Sequence, residues 1–176
     1  MAEIIAHPKA APEPMITAPA PISESHDLSG FDCGKPPLDD WLKHRALRSE
    51  GRSARAFVVA HGKCVIGYYC IATGAALAKD APGNIRRNMP NPIPVMIIGR
   101  LAVDKAYQGQ GMGPAMLKDA LQRILGVSKT VGARAVMIHA IDNDAVAFYA
   151  AYGFKPFPLD SRTMFLPIEE IAAAIA

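Results

Sequence analysis

Arg100-Leu101-Ala102-Val103-Asp104, followed after three residues by Gln108-Gly109-Gln110-Gly111-Met112-Gly113-Pro114, is the stretch that decides the fold. Residues 95–103 are strongly apolar and read as a strand. Residues 114–125 place Met116, Leu117, Ala120, Leu121 and Leu125 on one side and read as a helix. Between them the glycines let the backbone turn closely. A strand end, a glycine turn and a helix start present unpaired N–H groups at the positive end of the helix dipole, which suits a pyrophosphate. Pro114 is placed at the first helical position, where its missing N–H had no intrahelical partner to lose. Two phosphate loops are excluded. No Gly-Lys-Ser/Thr follows, so this is not a Walker A loop, and the G-x-G-x-G spacing is not the G-x-G-x-x-G of a dinucleotide fold.

Outward from this centre the chain alternates between strands and helices. On the amino-terminal side, residues 56–60 and 64–73 form two strands joined by the turn at 61–63. Before them a helix opens at Pro37, with Asp39 and Asp40 at its positive end and Leu38 and Leu42 on its apolar side, and stops near Gly51. Residues 16–22 suit a short extended segment. Residues 78–94, with Pro82, Gly83, Pro90, Pro92 and Pro94, make a long loop of the kind that often carries function. On the carboxyl side come a strand over 135–141, a helix over 144–152 closed by Gly153, and a last strand at 163–166. The architecture is mixed α/β. Residues 1–14, rich in Ala and Pro, read as a disordered arm, and 15–176 as one domain.

Composition narrows the function classes. A chain of 176 residues that is 51% hydrophobic supports a continuous core. A net charge of +3 permits an anionic partner without resembling a histone, so the placement of charge matters more than its sum. Cys33, Cys64 and Cys70 include no CxxC pair, which indicates neither a disulfide framework nor a zinc site; they read as small buried residues. The opening 20 residues are broken by Pro8, Pro12, Pro14 and Pro19 and hold no apolar signal core. No stretch is long enough to span a membrane, and the cytoplasm is the expected location.

Taken with its flanks, the loop from Gln108 to Gly113 resembles the Gln/Arg-x-x-Gly-x-Gly/Ala loop of GNAT (GCN5-related N-acetyltransferase) enzymes. Asn143 through Tyr149, Tyr152, Gly153 and Phe154 resembles that family's short helix ending in Tyr-x-x-x-Gly-Phe. Further segments sharpen the likeness: Phe31-Asp32-Cys33-Gly34, Leu38-Asp39-Asp40-Trp41-Leu42, Thr73-Gly74 and Ile85-Arg86-Arg87-Asn88-Met89-Pro90. They are similar to GNAT toxins of type II toxin–antitoxin operons, over about residues 16–166.

The resemblance implies a GNAT fold and acetyl-CoA as cosubstrate, without a metal. Leu101, Ala102, Val103, Gln108, Gly109, Gln110, Gly111, Met112, Gly113 and Asn143 would hold the cosubstrate, Asn143 being equally suited to cap its helix. It implies acetyl transfer to the α-amino group of aminoacyl-tRNA, which blocks translation. It also implies an antitoxin partner with a ribbon-helix-helix end, DNA contacted only through that partner, no membrane, and allows a homodimer. Two other readings stay open: acetylation of a small amine or a protein N-terminus, and a catalytically silent acetyl-CoA-binding module in an antitoxin complex.

The residues themselves bear on the chemistry. Lys43, Arg45 and Arg48 near the first helix, and Arg86 and Arg87 in the long loop, are candidates for phosphate contacts. Arg45 and Arg48 are three apart and would be neighbours on one helix. Lys118, Arg123, Lys129 and Arg134 are scattered and read as ordinary surface. A free α-amine titrates near 7.7–8.0, so at about pH 7.5 roughly a third of it is already nucleophilic. Residues 95–103 hold no acid to serve as a base, which suits direct attack by such an amine. The resemblance implies that Tyr149, whose family equivalent commonly points at the coenzyme A sulfur, is the general acid for the departing thiolate, with Tyr152 its rival, and His139 is the one candidate base.

Overall fold

The computed structural model describes residues 12–176. In chain order the elements are β1 (Ala20–Pro21), α1 (Pro36–His44), α2 (Ala46–Ser49), β2 (Arg55–His61), β3 (Cys64–Ala76), α3 (Gly83–Arg86) and β4 (Ile93–Val103). Then follow α4 (Met112–Val127), β5 (Ala135–His139), α5 (Asn143–Ala150), β6 (Lys155–Phe157), β7 (Asp160–Pro167) and α6 (Ile171–Ala174). The strands form a single sheet in the order β1-β2-β3-β4-β5-β7-β6. β4 and β5 run parallel, and α4 is the crossover that parallel neighbours require. The other pairings are antiparallel.

Apolar alternation along the strands supplies two cores, one on each face of the sheet. On one face, Met116, Leu117, Leu121 and Ile124 of α4 and Tyr149 of α5 pack on Phe57, Tyr69, Ile98, Val136 and Ile138. On the other, Trp41, Leu42 and Ala46 pack on Val58, Tyr68, Cys70 and Ala102, and Ile85 packs on Ile93, Val95, Ala135 and Phe165. The α/β architecture is as expected, with α4 on the predicted side chains.

Several local expectations change. The first helix is broken at Arg45, whose backbone leaves the helical region (φ −126°, ψ −27°); Leu42 before the break and Ala46 after it are both buried. Arg45 therefore sits at the break and Arg48 lies within α2, so the two are not neighbours on one continuous helix. The long loop contains α3, and α4 starts at Met112, which moves Pro114 to the third helical position, still within the turn whose N–H groups lack partners. β6 is too short, and too proline-bearing, for a period to show. Of the cysteines, Cys33 and Cys70 are buried, but Cys64 is exposed beside the β2–β3 turn. Of the expected arm, residues 1–11 lie outside the described residues; the Pro14 carbonyl accepts a hydrogen bond from Nε2 of His61 at 2.9 Å.

Two arginines read as ordinary surface are cross-links. Arg134 pairs with both carboxylate oxygens of Glu169 at 2.9 and 3.0 Å and donates to the carbonyls of Asn84 (2.7 Å) and Ile85 (3.3 Å). It ties α3 and the chain after β7 to the start of β5. Arg123 donates to Asp119 at 2.9 Å and to the Pro19 carbonyl at 3.0 Å, and its guanidinium lies 4.2 Å over Phe57. Asp119 also accepts the buried Tyr69 hydroxyl. Charged donors to backbone carbonyls are worth about 1.5–3 kcal/mol where water is largely excluded, and exposed ion pairs about 0–1. Arg134→Met is accordingly expected to destabilise the fold by about 1–3 kcal/mol in urea unfolding. Glu169→Gln, which removes only the exposed partner's charge, should cost under about 1 kcal/mol.

Candidate active site

The site begins where two strands part. β4 and β5 are paired from Val95–Ala135 to Ile98–Ile138, and beyond that residues 99–103 of β4 have no partner on the β5 side. A bulge at that point explains the parting, because Gly99 is the extra residue between the pairs Cys70–Arg100 and Ile71–Ile98. A Cβ on Gly99 would lie 2.9 Å from the Cys70 sulfur, so the position accepts only glycine without repacking. The bulge also shifts the alternation of side chains. Ile98 and Leu101 face α4, whereas Arg100 and Ala102 face α1.

The resulting cleft has a volume of about 440 Å³. Its walls are Leu101, Ala102 and Val103 of β4, His139 of β5, Ala145, Phe148 and Tyr149 of α5, and Lys35 and Leu38 at the start of α1. Gln108 and Gly113 line its end at the glycine turn. Gly109 and Gly111 have φ of +76° and +83°, the left-handed region, and nothing stands within 4 Å of where their Cβ atoms would be. Gly111 is the N-cap of α4 and has no side chain to cap with, so the N–H groups of Met112 and Gly113 face outward uncapped. That is a cradle a pyrophosphate fits. The Met112 side chain turns the other way, towards Gly67 and the core, which leaves only its backbone for a ligand. The Gln108 amide donates to the carbonyls of Cys33 (3.0 Å) and Val103 (2.9 Å), so it braces the loop instead of reaching an anion. Gln110 is exposed, its amide 3.5 Å from the Ala106 carbonyl.

Tyr149 is 7% exposed and opens onto this cleft, its ring packed edge-on against Phe148 and Phe154. Burial, with the Cys70 thiol nearby, pushes its phenol well above the ordinary value, so it keeps its proton. Tyr152 lies on the other side of Phe148, by the carboxyl-terminal residues and not in the cleft. His139 lines the cleft and is exposed, with Nδ1 3.2 Å from the Thr163 hydroxyl. The cap of α5 is Asp142, which accepts from the Ala145 N–H at 2.8 Å; Asn143 is the exposed first helical residue and does not line the cleft. The other Asp142 oxygen meets Lys35 at 2.8 Å, a bridge from the start of α1 to the start of α5 across the cleft mouth. The hydrogen bond from Lys35, and next the one from the Ala145 N–H, hold the Asp142 carboxyl below its ordinary pKa.

The basic candidates lie on the α1 side of the sheet. Arg45, Arg48, Arg86 and Arg87 are exposed and Lys43 is half-buried. The sequence missed Gly99, Lys35, Asp142 and the orientation of Arg100. A glycine inside an apolar strand was the one available signal for the bulge. A further cavity, of about 760 Å³, lies at the far end of α4 beside Arg123 and Val127. Among the described residues its wall carries Arg52, Arg55 and Arg123 as titratable groups.

Comparison with known proteins agrees with this geometry. The family described as acetyltransferase (GNAT) domain matches residues 52–156. A tRNA-acetylating toxin of Mycobacterium tuberculosis (strain ATCC 25618 / H37Rv) is 39% identical over 160 residues, covering 90% of this chain and 96% of that one. AtaT complexed with acetyl-methionyl-tRNAfMet superposes with a TM-score of 0.81 at 25% identity, covering 90% of this chain and 99% of the other. A tyrosine-to-phenylalanine mutant of AtaT, bound to the C-terminus of the antitoxin AtaR and to acetyl-CoA, superposes with a TM-score of 0.76 at 26% identity. It covers 89% of this chain and 96% of that one.

If the glycine turn holds the cosubstrate, acetyl-CoA at about 100 times Kd stabilises the wild-type fold by roughly 2.7 kcal/mol in thermal unfolding. Gly111→Val, which fills the open space and strains a positive φ, is expected to abolish that shift. An undiminished shift would place the cosubstrate elsewhere.

Proposed function

This chain belongs to the GNAT acetyltransferase family, and from that premise we propose that it is a toxin that transfers acetyl from acetyl-CoA to the α-amino group of aminoacyl-tRNA and so blocks translation. The observation that carries the reading is a proton-holding Tyr149 in the cleft where β4 and β5 part, with an anion cradle at the glycine turn and exposed arginines giving the protein a basic face elsewhere on its surface. A silent binding module needs no such phenol. A small-amine enzyme needs no such basic face.

Each residue has a task in that reaction. Acetyl-CoA supplies the thioester carbonyl. The N–H groups of Met112 and Gly113 bind its pyrophosphate, and the unpaired β4 edge at residues 101–103 receives the pantetheine arm and orients the carbonyl. The α-amine attacks without a strong base, because a group titrating near 7.7–8.0 is substantially neutral at about pH 7.5. The C–N bond forms and the C–S bond breaks. Tyr149 donates its proton to the leaving sulfur and regains one from solvent, to which the amine's own lost proton passes and to which His139 is open. Lys43, Arg45, Arg48, Arg86 and Arg87 are taken as contacts to tRNA phosphates. The partner is taken to be an antitoxin with a ribbon-helix-helix end, which would bring the pair to DNA, and the site of action the cytoplasm.

Tyr149→Phe keeps the ring and its packing and removes the hydroxyl. The expected result is a melting temperature within the range of one lost hydrogen bond, about 0.5–1.5 kcal/mol, and a fall in turnover of about 10²–10⁴-fold. Tyr152→Phe is the control and should transfer acetyl at the wild-type rate. In the wild type, the rate should rise with pH through about 8 as the amine deprotonates. It should not decline where an ordinary tyrosine titrates near 10, because the Tyr149 pKa is raised and its proton is retained there. Near-wild-type turnover by both variants would remove tyrosine from the mechanism.

A further inference from the structure

His139, the last residue of β5, lines the reaction cleft together with Tyr149. Along β5, Val136 and Ile138 pack into the core beneath α4 and α5, whereas Ala135 and Met137 pack on the opposite face with Ile85. Side chains alternate along a strand, so His139 belongs with Ala135 and Met137. Tyr149 comes from the α5 side, and the two residues reach one cleft from opposite faces of the sheet. His139 also ends a hydrogen-bonded chain. It pairs across the sheet with Thr163 of β7. The Thr163 hydroxyl donates to Oδ2 of Asp160 at 2.7 Å and stands 3.2 Å from Nδ1 of His139. The Thr163 bond, and next the Arg162 N–H at 3.1 Å, hold the Asp160 carboxyl below its ordinary pKa, so it stays a carboxylate and can only accept. With its proton given to Asp160, the Thr163 oxygen must accept from Nδ1–H. The neutral imidazole then carries its lone pair on Nε2, which has no hydrogen-bond partner among the described residues.

The reaction calls for such an acceptor. Once the amine nitrogen has attacked the thioester it is positively charged, and it must lose a proton before a stable amide forms. Of the charged groups around His139, Arg100 and Lys35 are cations, Asp142 is paired with Lys35, and Asp144 lines the cleft in the first turn of α5. Arg162 reaches the Ile141 carbonyl at 3.2 Å, and Asp80 lies with Asp160 beyond Thr163. A carboxylate is a poorer proton acceptor than an imidazole at neutral pH. We propose that His139 is the general base of the transfer, taking the amine's proton on Nε2, with Thr163 and Asp160 as positioning residues that fix its tautomer. The C–N bond forms, the C–S bond breaks and Tyr149 protonates the sulfur. His139 becomes an imidazolium, favoured by the Asp160 charge beyond Thr163, and returns the proton to the solvent to which it is exposed. The proposal rests on acetyl transfer to an α-amine and adds the route by which the proton leaves.

The test measures kcat on bulk aminoacyl-tRNA at saturating acetyl-CoA from about pH 6 to 8.5, a range that spans the ordinary titration of imidazole and α-amine. His139→Gln keeps a donor for Thr163 and cannot take up a proton. It is expected to lower kcat about 10–100-fold, less than a general base often contributes, because the amine arrives already neutral. Wild-type kcat should fall more steeply towards acid pH than that of the variant, since two groups instead of one must be unprotonated. His139→Ala should regain rate when free imidazole is added, a response that a packing defect would not give. Thr163→Val should lower kcat about 2–10-fold, the loss of one hydrogen bond, which keeps the test open if the His139 variants fold poorly. The acetyl-CoA thermal shift should remain in all three. Wild-type kcat in His139→Gln would overturn the proposal, as would a loss that is equal at every pH and indifferent to imidazole. A wild type that acetylates a small amine but not charged tRNA would instead overturn the aminoacyl-tRNA reading, with the base then tested on that amine by the same variants.

Discussion

The parting of β4 from β5 is the constraint on which the rest of the site depends. Two parallel strands that stayed paired to their ends would leave neither a free backbone edge nor a cleft. The separation follows from one extra residue, Gly99, opposite the Cys70–Ile71 step, at a place where a side chain would strike the Cys70 sulfur. Immediately after the last β4–β5 pair, the strand bends, its edge is released, and the direction of its side chains is reset. Tyr149 then reaches the cleft from α5, while Arg100 points the opposite way, to α1. Donor and acceptor can meet through the sheet, each from its own face.

The cross-links around the cleft hold this arrangement. Gln108 ties the glycine turn to the loop before α1, and Asp104 accepts from the Asp32 N–H at 3.0 Å in the same region. The Lys35–Asp142 pair joins α1 to α5 over the mouth. Both of its side chains are more than a third exposed, so it spans the mouth but contributes little to stability. Arg134 and Arg123 fasten the outlying segments, α3 and the residues before β1, to the sheet through backbone carbonyls.

What was legible in the sequence was local. The glycine turn, the helical course of α4 and Gly153 after α5 all follow from spacings within a dozen residues, and each is as read. What was not legible depends on partners far along the chain. Nothing near Arg134 announces the Asn84 and Ile85 carbonyls, and nothing near Lys35 announces Asp142. Asp142 and Asn143 are both good caps, and only the observed start of α5 chooses between them. The break at Arg45 likewise has no local signal, because helix propensity there runs on without interruption.

The central claim is that the acetyl group leaves this site on the α-nitrogen of an amino acid esterified to tRNA. The most direct measurement incubates the protein with isotopically labelled acetyl-CoA and a mixture of charged tRNA, free amino acids and ribosomal proteins. Ribonuclease digestion and mass spectrometry then locate the label. The account requires it on N-acetyl-aminoacyl-adenosine released from the tRNA 3′ end. Label confined to protein N-termini or to free small amines, with the charged tRNA unmodified, would contradict it.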